Sequence, residues 1–143
     1  MPRRVLILCT GNSARSQMAE ALINAQRTDQ WHAVSAGTQP APHVNPYALR
    51  ALAEIGIQTA GSRPKHIDEF TGQPFDLVIT VCDDAAENCP VWFGQGQRQH
   101  ISFPDPAKAS GMDDDILAAF REVRDGITER VLSALDAFAA HAN

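Results

Sequence analysis

A short apolar run, Val5-Leu6-Ile7-Leu8, stops at Cys9 and gives way to Thr10-Gly11-Asn12-Ser13-Ala14-Arg15-Ser16. After it, Met18, Leu22 and Ala25 recur at helical spacing. The run reads as a strand buried on both faces, and the later spacing as a helix with one apolar side. A strand that turns into a helix through a loop carrying Gly11 and Asn12 brings backbone N–H groups and the positive end of a helix dipole to one point. A tetrahedral oxyanion can sit there. Arg15 adds a planar fork matched to two of that anion's oxygens.

The same donors act on sulfur. A thiol held among N–H groups at a helix N-terminus has its thiolate stabilised, with pKa values of roughly 3.5–7.5 at such sites. Cys9 is therefore expected to be ionised at neutral pH and to act as a nucleophile, with the Ser16 hydroxyl placed to donate to it. A free cysteine at a strand end is otherwise often a small buried apolar residue. The spacing of Cys9 and Arg15 alone would be a weak signal. The buried strand before it, Gly11 and Asn12 within it, and Ser16 and the helix behind it favour the anion-binding nucleophile.

The rest of the chain alternates strands with helices. Ala33-Val34-Ser35-Ala36 reads as a second strand, ended by Gly37 and by Pro40 and Pro42. Asn45-Pro46 is an N-cap followed by proline at the first helical position, and Ala48, Leu49, Leu52 and Ile55 form an apolar face that stops at Gly56. Ile67 to Phe70 is at most a short helical turn. Phe75 to Val81 is the clearest strand after the first, and Ile101-Ser102-Phe103 is expected to be a brief fourth. From Asp113 onward, Ile116, Phe120, Val123, Ile127, Val131, Leu135 and Phe138 step by three or four and predict one long amphipathic helix. Such alternation predicts an α/β fold, a single domain over residues 1–143. Its four-stranded parallel sheet is flanked by helices on both faces, with ligands at the carboxyl ends of the strands. Cys9 ends strand one, Cys82 ends strand three, and Asp105 follows strand four.

With 143 residues, 44% of them hydrophobic, the chain can bury a core without a second domain. Met1-Pro2-Arg3-Arg4 superficially resembles the start of a signal peptide, but the apolar stretch behind it is too short, and no run reaches membrane-spanning length. A cytoplasmic protein is expected. There, thiols stay reduced, so three cysteines point to catalysis or metal binding rather than a disulfide framework. A net charge of −5 argues against a nucleic-acid partner and leaves any anionic substrate to be drawn in by local donors.

Cys82 and Cys89 lie seven residues apart at the end of a strand. In a helix that spacing separates the Cα atoms by roughly 10 Å, whereas a disulfide needs them within about 7 Å. The pair can bond only if the segment unwinds, which suggests a redox switch that is helical when reduced and looped when oxidised. Two inert buried thiols, or a clamp with Cys9 for zinc or arsenite, remain as alternatives, although structural zinc wants four ligands at tighter spacing.

Asp105 lies between Pro104 and Pro106, a carboxylate on a stiff loop. It reads either as a general acid for a departing oxygen or as an ordinary turn residue. The histidines are scattered singly. Asp113-Asp114-Asp115 reads as an acidic cluster complementing a helix dipole, Asn12 and Ser13 as residues that shape the loop, and Trp92 and Phe93 as a cover for the cysteine pair or as core.

Cys9-Thr10-Gly11-Asn12-Ser13-Ala14-Arg15-Ser16, the pair Cys82 and Cys89, and Asp105-Pro106, in that order and near those separations, resemble the thioredoxin-coupled arsenate reductases built on the low-molecular-weight protein tyrosine phosphatase fold. The likeness runs from Val5 through the C-terminal helix. It implies reduction of arsenate to arsenite, in arsenic detoxification, by a three-cysteine cascade. Cys9 would be the nucleophile, Arg15 the oxyanion clamp, Ser16 the thiolate stabiliser, Asp105 the general acid, and Cys82 and Cys89 the relay thiols. Thr10, Gly11, Asn12, Ser13, Ala14 and Arg15 would bind the substrate, with phosphate or sulfate competing. No bound cofactor is implied. Electrons would come from thioredoxin, fed by its reductase and NADPH, to a monomer in the cytoplasm, with neither nucleic acid nor membrane as partner.

Some relatives bind potassium beside the loop through residues matching Asn12 and Glu20. Here Lys65 falls in the stretch that would complete that site, and its cation disfavours a metal. Some relatives also carry a further cysteine where this chain has Ala14. The runner-up activity is a phosphotyrosine phosphatase, with weak phosphatase activity expected in either case. Against it, Asp105-Pro106-Ala107-Lys108 lacks an aromatic beside the acid, and a phosphatase has no need of Cys82 and Cys89. A non-catalytic arsenite- or metal-binding module would leave Arg15 and Ser16 unexplained.

Overall fold

The computed structural model describes residues 2–83 and 89–142. Its sheet has four strands, β1 (Arg3–Cys9), β2 (Trp31–Gly37), β3 (Leu77–Thr80) and β4 (Gln97–His100), in the order β2-β1-β3-β4. All three pairings are parallel, with Val5 opposite Ala33 on one side and Leu77 on the other. Parallel neighbours must be joined by crossovers. The helices α1 (Arg15–Gln26) and α2 (Pro46–Ala53) lie in the crossovers from β1 to β2 and from β2 to β3, and α3 (Asp113–His141) follows the last strand.

Alternation along β1 sorts the core into two layers. Val5, Ile7 and Cys9 face a large cluster with Met18 and Leu22 of α1, Leu52 of α2, and Phe120, Ile127 and Leu135 of α3. Leu6 and Leu8 face the other way, onto Phe70, Phe75 and Trp92. A 3-10 turn at Ile67–Phe70 thus covers the second face, and helical elements flank the sheet on both sides. Each fully buried side chain of this size contributes about 1.5–3 kcal/mol, so continuous burial of β1 makes it the strand on which the rest is organised.

The elements start where their sequences provide caps. Asn45 accepts the Tyr47 N–H at 2.9 Å in front of Pro46. Asp115 accepts the Met112 N–H at 3.0 Å. Asp113 does more than complement a dipole, because its carboxylate takes both Arg50 guanidinium nitrogens, at 2.9 and 3.0 Å, and the Tyr47 hydroxyl, fastening α3 to α2.

The fourth strand departs from expectation. It is Gln97–His100, and Ile101-Ser102-Phe103 lies beyond it in irregular chain. β4 is an edge strand that pairs only with β3, and its side chains are mostly exposed. A polar edge carries no apolar run to find, whereas Phe103 is apolar because it packs under α3 rather than because it is in the sheet. The expected helix-to-loop switch between Cys82 and Cys89 lies, for residues 84–88, outside the described residues. No described helix is long and apolar enough to cross a membrane.

Candidate active site

β1 delivers Cys9 to the carboxyl edge of the sheet, paired with Gly37 of β2. The loop after Cys9 turns back so closely over Gly37 that a Cβ there would lie 2.3 Å from the Thr10 carbonyl oxygen. Glycine is required at that contact. Residues 9–15 then wrap a cavity of about 270 Å³, completed by Asp105, Ala107 and Lys108. Every loop residue expected to bind substrate, from Thr10 to Arg15, lines it, and Cys9 lies at its base. A larger hollow of about 430 Å³ lies behind the Asp105 loop, against α3 between Ala119 and Arg130, and contains no nucleophile.

Asn12 holds the loop's shape. Its backbone is left-handed, with φ of 50°, a conformation asparagine tolerates better than most residues. Its buried amide donates to Ser16 Oγ at 2.7 Å and Ser35 Oγ at 2.9 Å, while its Oδ1 accepts from the Lys65 N–H at 2.8 Å and from Gln17 Nε2 at 3.1 Å. Because Asn12 donates into Ser16 Oγ, the serine's own proton remains to be given elsewhere. Ser35 in turn donates to Glu20, and the Lys65 ammonium lies 3.4 Å from the same carboxylate oxygen. A lysine therefore supplies the positive charge beside Glu20, and the residues there fit an ammonium rather than a metal ion. No group of metal-ligating side chains occurs among the described residues.

Arg15 is buried at the start of α1, whose first turn carries no acidic residue, so the helix's N–H groups are left for an anion. Its Nη1 donates to the Phe103 carbonyl at 3.1 Å, and its Nη2 lies 3.8 Å from Asp105 Oδ2. Asp105 caps the 3-10 turn Pro106–Lys108 by accepting the Ala107 N–H at 3.0 Å, which fixes one carboxylate oxygen and leaves the other toward Arg15. Its side chain is 25% exposed.

Cys82, fully buried, belongs to the same core cluster as Cys9. Its thiol is pushed far above the usual thiol range, first by the hydrogen bond to Cys9, then by burial, then by the hydrogen bond to Cys89. Cys89 packs against that cluster, and all three cysteines are free. Cys89 is half-buried, the most accessible of the three. Three contributors escaped the sequence reading as parts of the site: Gln17, Ser35 and Lys108. Gln17 and Ser35 act through contacts 5 and 23 residues distant, and Lys108 carries no motif.

A profile of the low molecular weight phosphotyrosine protein phosphatase family matches residues 4–142. The chain belongs to that family. Within it, the chain is 45% identical over 127 residues to an arsenate reductase of Halalkalibacterium halodurans, covering 89% of this chain and 91% of the relative. Among solved structures, an arsenate reductase in the phosphate binding state superposes with a TM-score of 0.79 at 29% identity, covering 94% of this chain and 97% of that one. A thioredoxin-dependent arsenate reductase of Corynebacterium glutamicum superposes with a TM-score of 0.65 at 26% identity, over 92% of this chain and 61% of its own.

Proposed function

We propose that the protein reduces arsenate to arsenite by a three-cysteine cascade and that thioredoxin reduces the resulting disulfide. The gathering of Cys9 and Cys82 in one core cluster, with Cys89 packed against it, is the observation that carries this reading. A phosphatase cradle needs one thiol, whereas a relay needs three in line. The arsenate reductases among the relatives and the thioredoxin-dependent neighbour support it.

Arsenate, bound by the loop N–H groups and Arg15, is attacked at arsenic by the Cys9 thiolate. Asp105 protonates the departing oxygen, which leaves as water. Cys82 then attacks the Cys9 sulfur, the sulfur–arsenic electron pair goes to arsenic, and arsenite leaves. That step needs Cys82 as thiolate, although its proton is held above all by the Cys9 sulfur. Once Cys9 bonds arsenic it no longer carries a charge to hold this proton, so substrate attachment removes the largest of the causes that raise the Cys82 thiol and favours the second nucleophile. Cys89 next attacks Cys82 and expels Cys9 as thiolate, leaving the Cys82–Cys89 disulfide for a reductant. Exchange of this kind requires an attacking thiolate and an accessible sulfur. A reducing compartment such as the cytoplasm, with NADPH and thioredoxin reductase behind the thioredoxin, completes the cycle.

The same cavity suits phosphate, so slow hydrolysis of an activated aryl phosphate through Cys9 and Asp105 is the accompanying side activity. The deciding experiment is arsenate-dependent NADPH consumption with thioredoxin and its reductase, beside a glutathione–glutaredoxin assay. Turnover with thioredoxin is expected. Phosphatase activity without arsenate reduction under either donor would overturn the reading.

A further inference from the structure

We infer that Val91 and Phe93, exposed and close to Cys89 in the chain, form the docking contact for the protein dithiol that reduces this chain. The inference rests on the thioredoxin-coupled reading above. Single exposed apolar residues are unremarkable on a protein surface. Here two of the four large ones among the described residues, Val91 at 61% and Phe93 at 89% exposure, fall within three residues, and both lie within four residues of Cys89.

Their exposure is built in. Trp92, between them, is buried in the second core layer, edge-on to Phe75 at a centroid distance of 5.8 Å. Its indole N–H donates to the Gln95 carbonyl at 3.0 Å, and its own carbonyl accepts from Arg98 at 2.8 Å. Behind it, a Cβ at Gly94 would lie 2.6 Å from the indole, so the chain bends tightly around the ring. With Trp92 fastened inward at both ends, its two neighbours are turned to solvent. Hollows of about 270 and 220 Å³ flank them, one against Thr80 and Arg98, the other against Ile67 and Gly72.

The chemistry next door selects the occupant. With the cysteines free, Cys89 is the accessible thiol and Cys82 is fully buried, so in the disulfide an incoming thiolate would reach Cys89 first. The partner's thiolate bonds the Cys89 sulfur and expels Cys82 as thiolate. Its second thiol then attacks the partner's own sulfur in that mixed disulfide and expels Cys89, so the dithiol is oxidised as the disulfide is reduced. A partner presenting its reactive cysteine within an uncharged apolar rim would cover Val91 and Phe93 as its sulfur reached Cys89. Aromatic anchors of this kind dominate the energetics of an interface.

The test compares wild type with the Val91→Ser/Phe93→Ser double variant, using thioredoxin with its reductase and NADPH, and separately dithiothreitol as a donor that needs no docking. The expected result is a KM for thioredoxin raised about tenfold, with dithiothreitol-driven turnover and arsenite release in the first turnover unchanged. Phe93→Leu, which keeps an apolar side chain, should stay near the wild-type KM. Ile55→Ser and Met112→Ser, exposed apolar positions elsewhere, should leave it unchanged. An unaltered thioredoxin KM in the double variant, or an equal rise in the Ile55 and Met112 variants, would overturn the docking assignment while leaving the cascade standing. Wild type that turns over with dithiothreitol but not with thioredoxin would instead overturn the thioredoxin coupling, and the docking contact with it.

Discussion

Arg15 Nη2 and Asp105 Oδ2 face each other across the mouth of the cradle at 3.8 Å, longer than a direct hydrogen bond. The arginine is pinned by the Phe103 carbonyl and the aspartate by the Ala107 N–H, so neither is free to swing onto the other. In the proposed reaction the two act on one oxyanion, Arg15 as donor and Asp105 as acid.

Asp105→Asn should therefore separate binding from chemistry. Loss of the acid should lower kcat for arsenate by about 10²- to 10⁴-fold. Removing a negative charge from the cradle should leave phosphate bound as tightly or more so. Steady-state kinetics and phosphate inhibition constants check both; weakened phosphate binding would make Asp105 a structural residue.

Cys9→Ser should abolish reduction, because a serine hydroxyl is not ionised there. Cys89→Ser should release one equivalent of arsenite and then stall with Cys9 bonded to Cys82. Peptide mapping of the stalled protein identifies the bond, and a released equivalent without that disulfide would show the relay order to be wrong.

Gly37→Ala places a methyl against the Thr10 and Cys9 carbonyl oxygens, backbone atoms that can yield only if the loop moves. The expected cost is roughly 1–3 kcal/mol of stability, as for other overpacked sites. Weaker phosphate binding should accompany it, read by thermal unfolding with and without phosphate.

Lys108 lines the cavity and its ammonium forms no ion pair among the described residues. On a chain of net charge −5 it is a local attractor for anions. Lys108→Gln should raise the KM for arsenate roughly twofold to fivefold with kcat unchanged, in keeping with the modest worth of exposed charge contacts. The difference should fade as salt is added.

Glu54 is held at about 2, below the ordinary 4.5, first by its hydrogen bond to Arg121, which with a further hydrogen bond from Arg124 outweighs the opposing desolvation. A folded-state pKa below the unfolded one means that this stabilisation is complete above about 4.5 and is lost as pH falls toward about 2. Glu54→Gln should be less stable than wild type at neutral pH and match it near pH 2 in urea unfolding.

The fold was legible wherever burial leaves a period. β1 and α3 announce themselves through runs of Val, Leu, Ile and Phe, and α2 through Asn45-Pro46. β4 was displaced because an exposed edge strand of Gln97, Arg98, Gln99 and His100 has nothing to alternate. In the site, Cys9 and Arg15 stand out because loop, dipole and nucleophile are contiguous in the chain. The support behind them does not: Ser35 meets Asn12 only because β2 lies beside β1, and Gln17 reaches the Arg63 carbonyl over 46 residues. Such contacts are products of topology, invisible until the strands are ordered.

The guanidinium of Arg15 is tied to a carbonyl 88 residues further along the chain. On the ribosome, the cysteine loop therefore emerges long before Phe103, Asp105 and the α3 packing that encloses it. A fragment that ends before Cys82 carries Cys9 and Arg15 but lacks the carbonyl that fixes the guanidinium, together with Asp105 and both other thiols. The guanidinium is thus fixed only once the polypeptide is complete, so a truncated product carries the cysteine loop with an arginine that nothing from beyond the sheet holds in place.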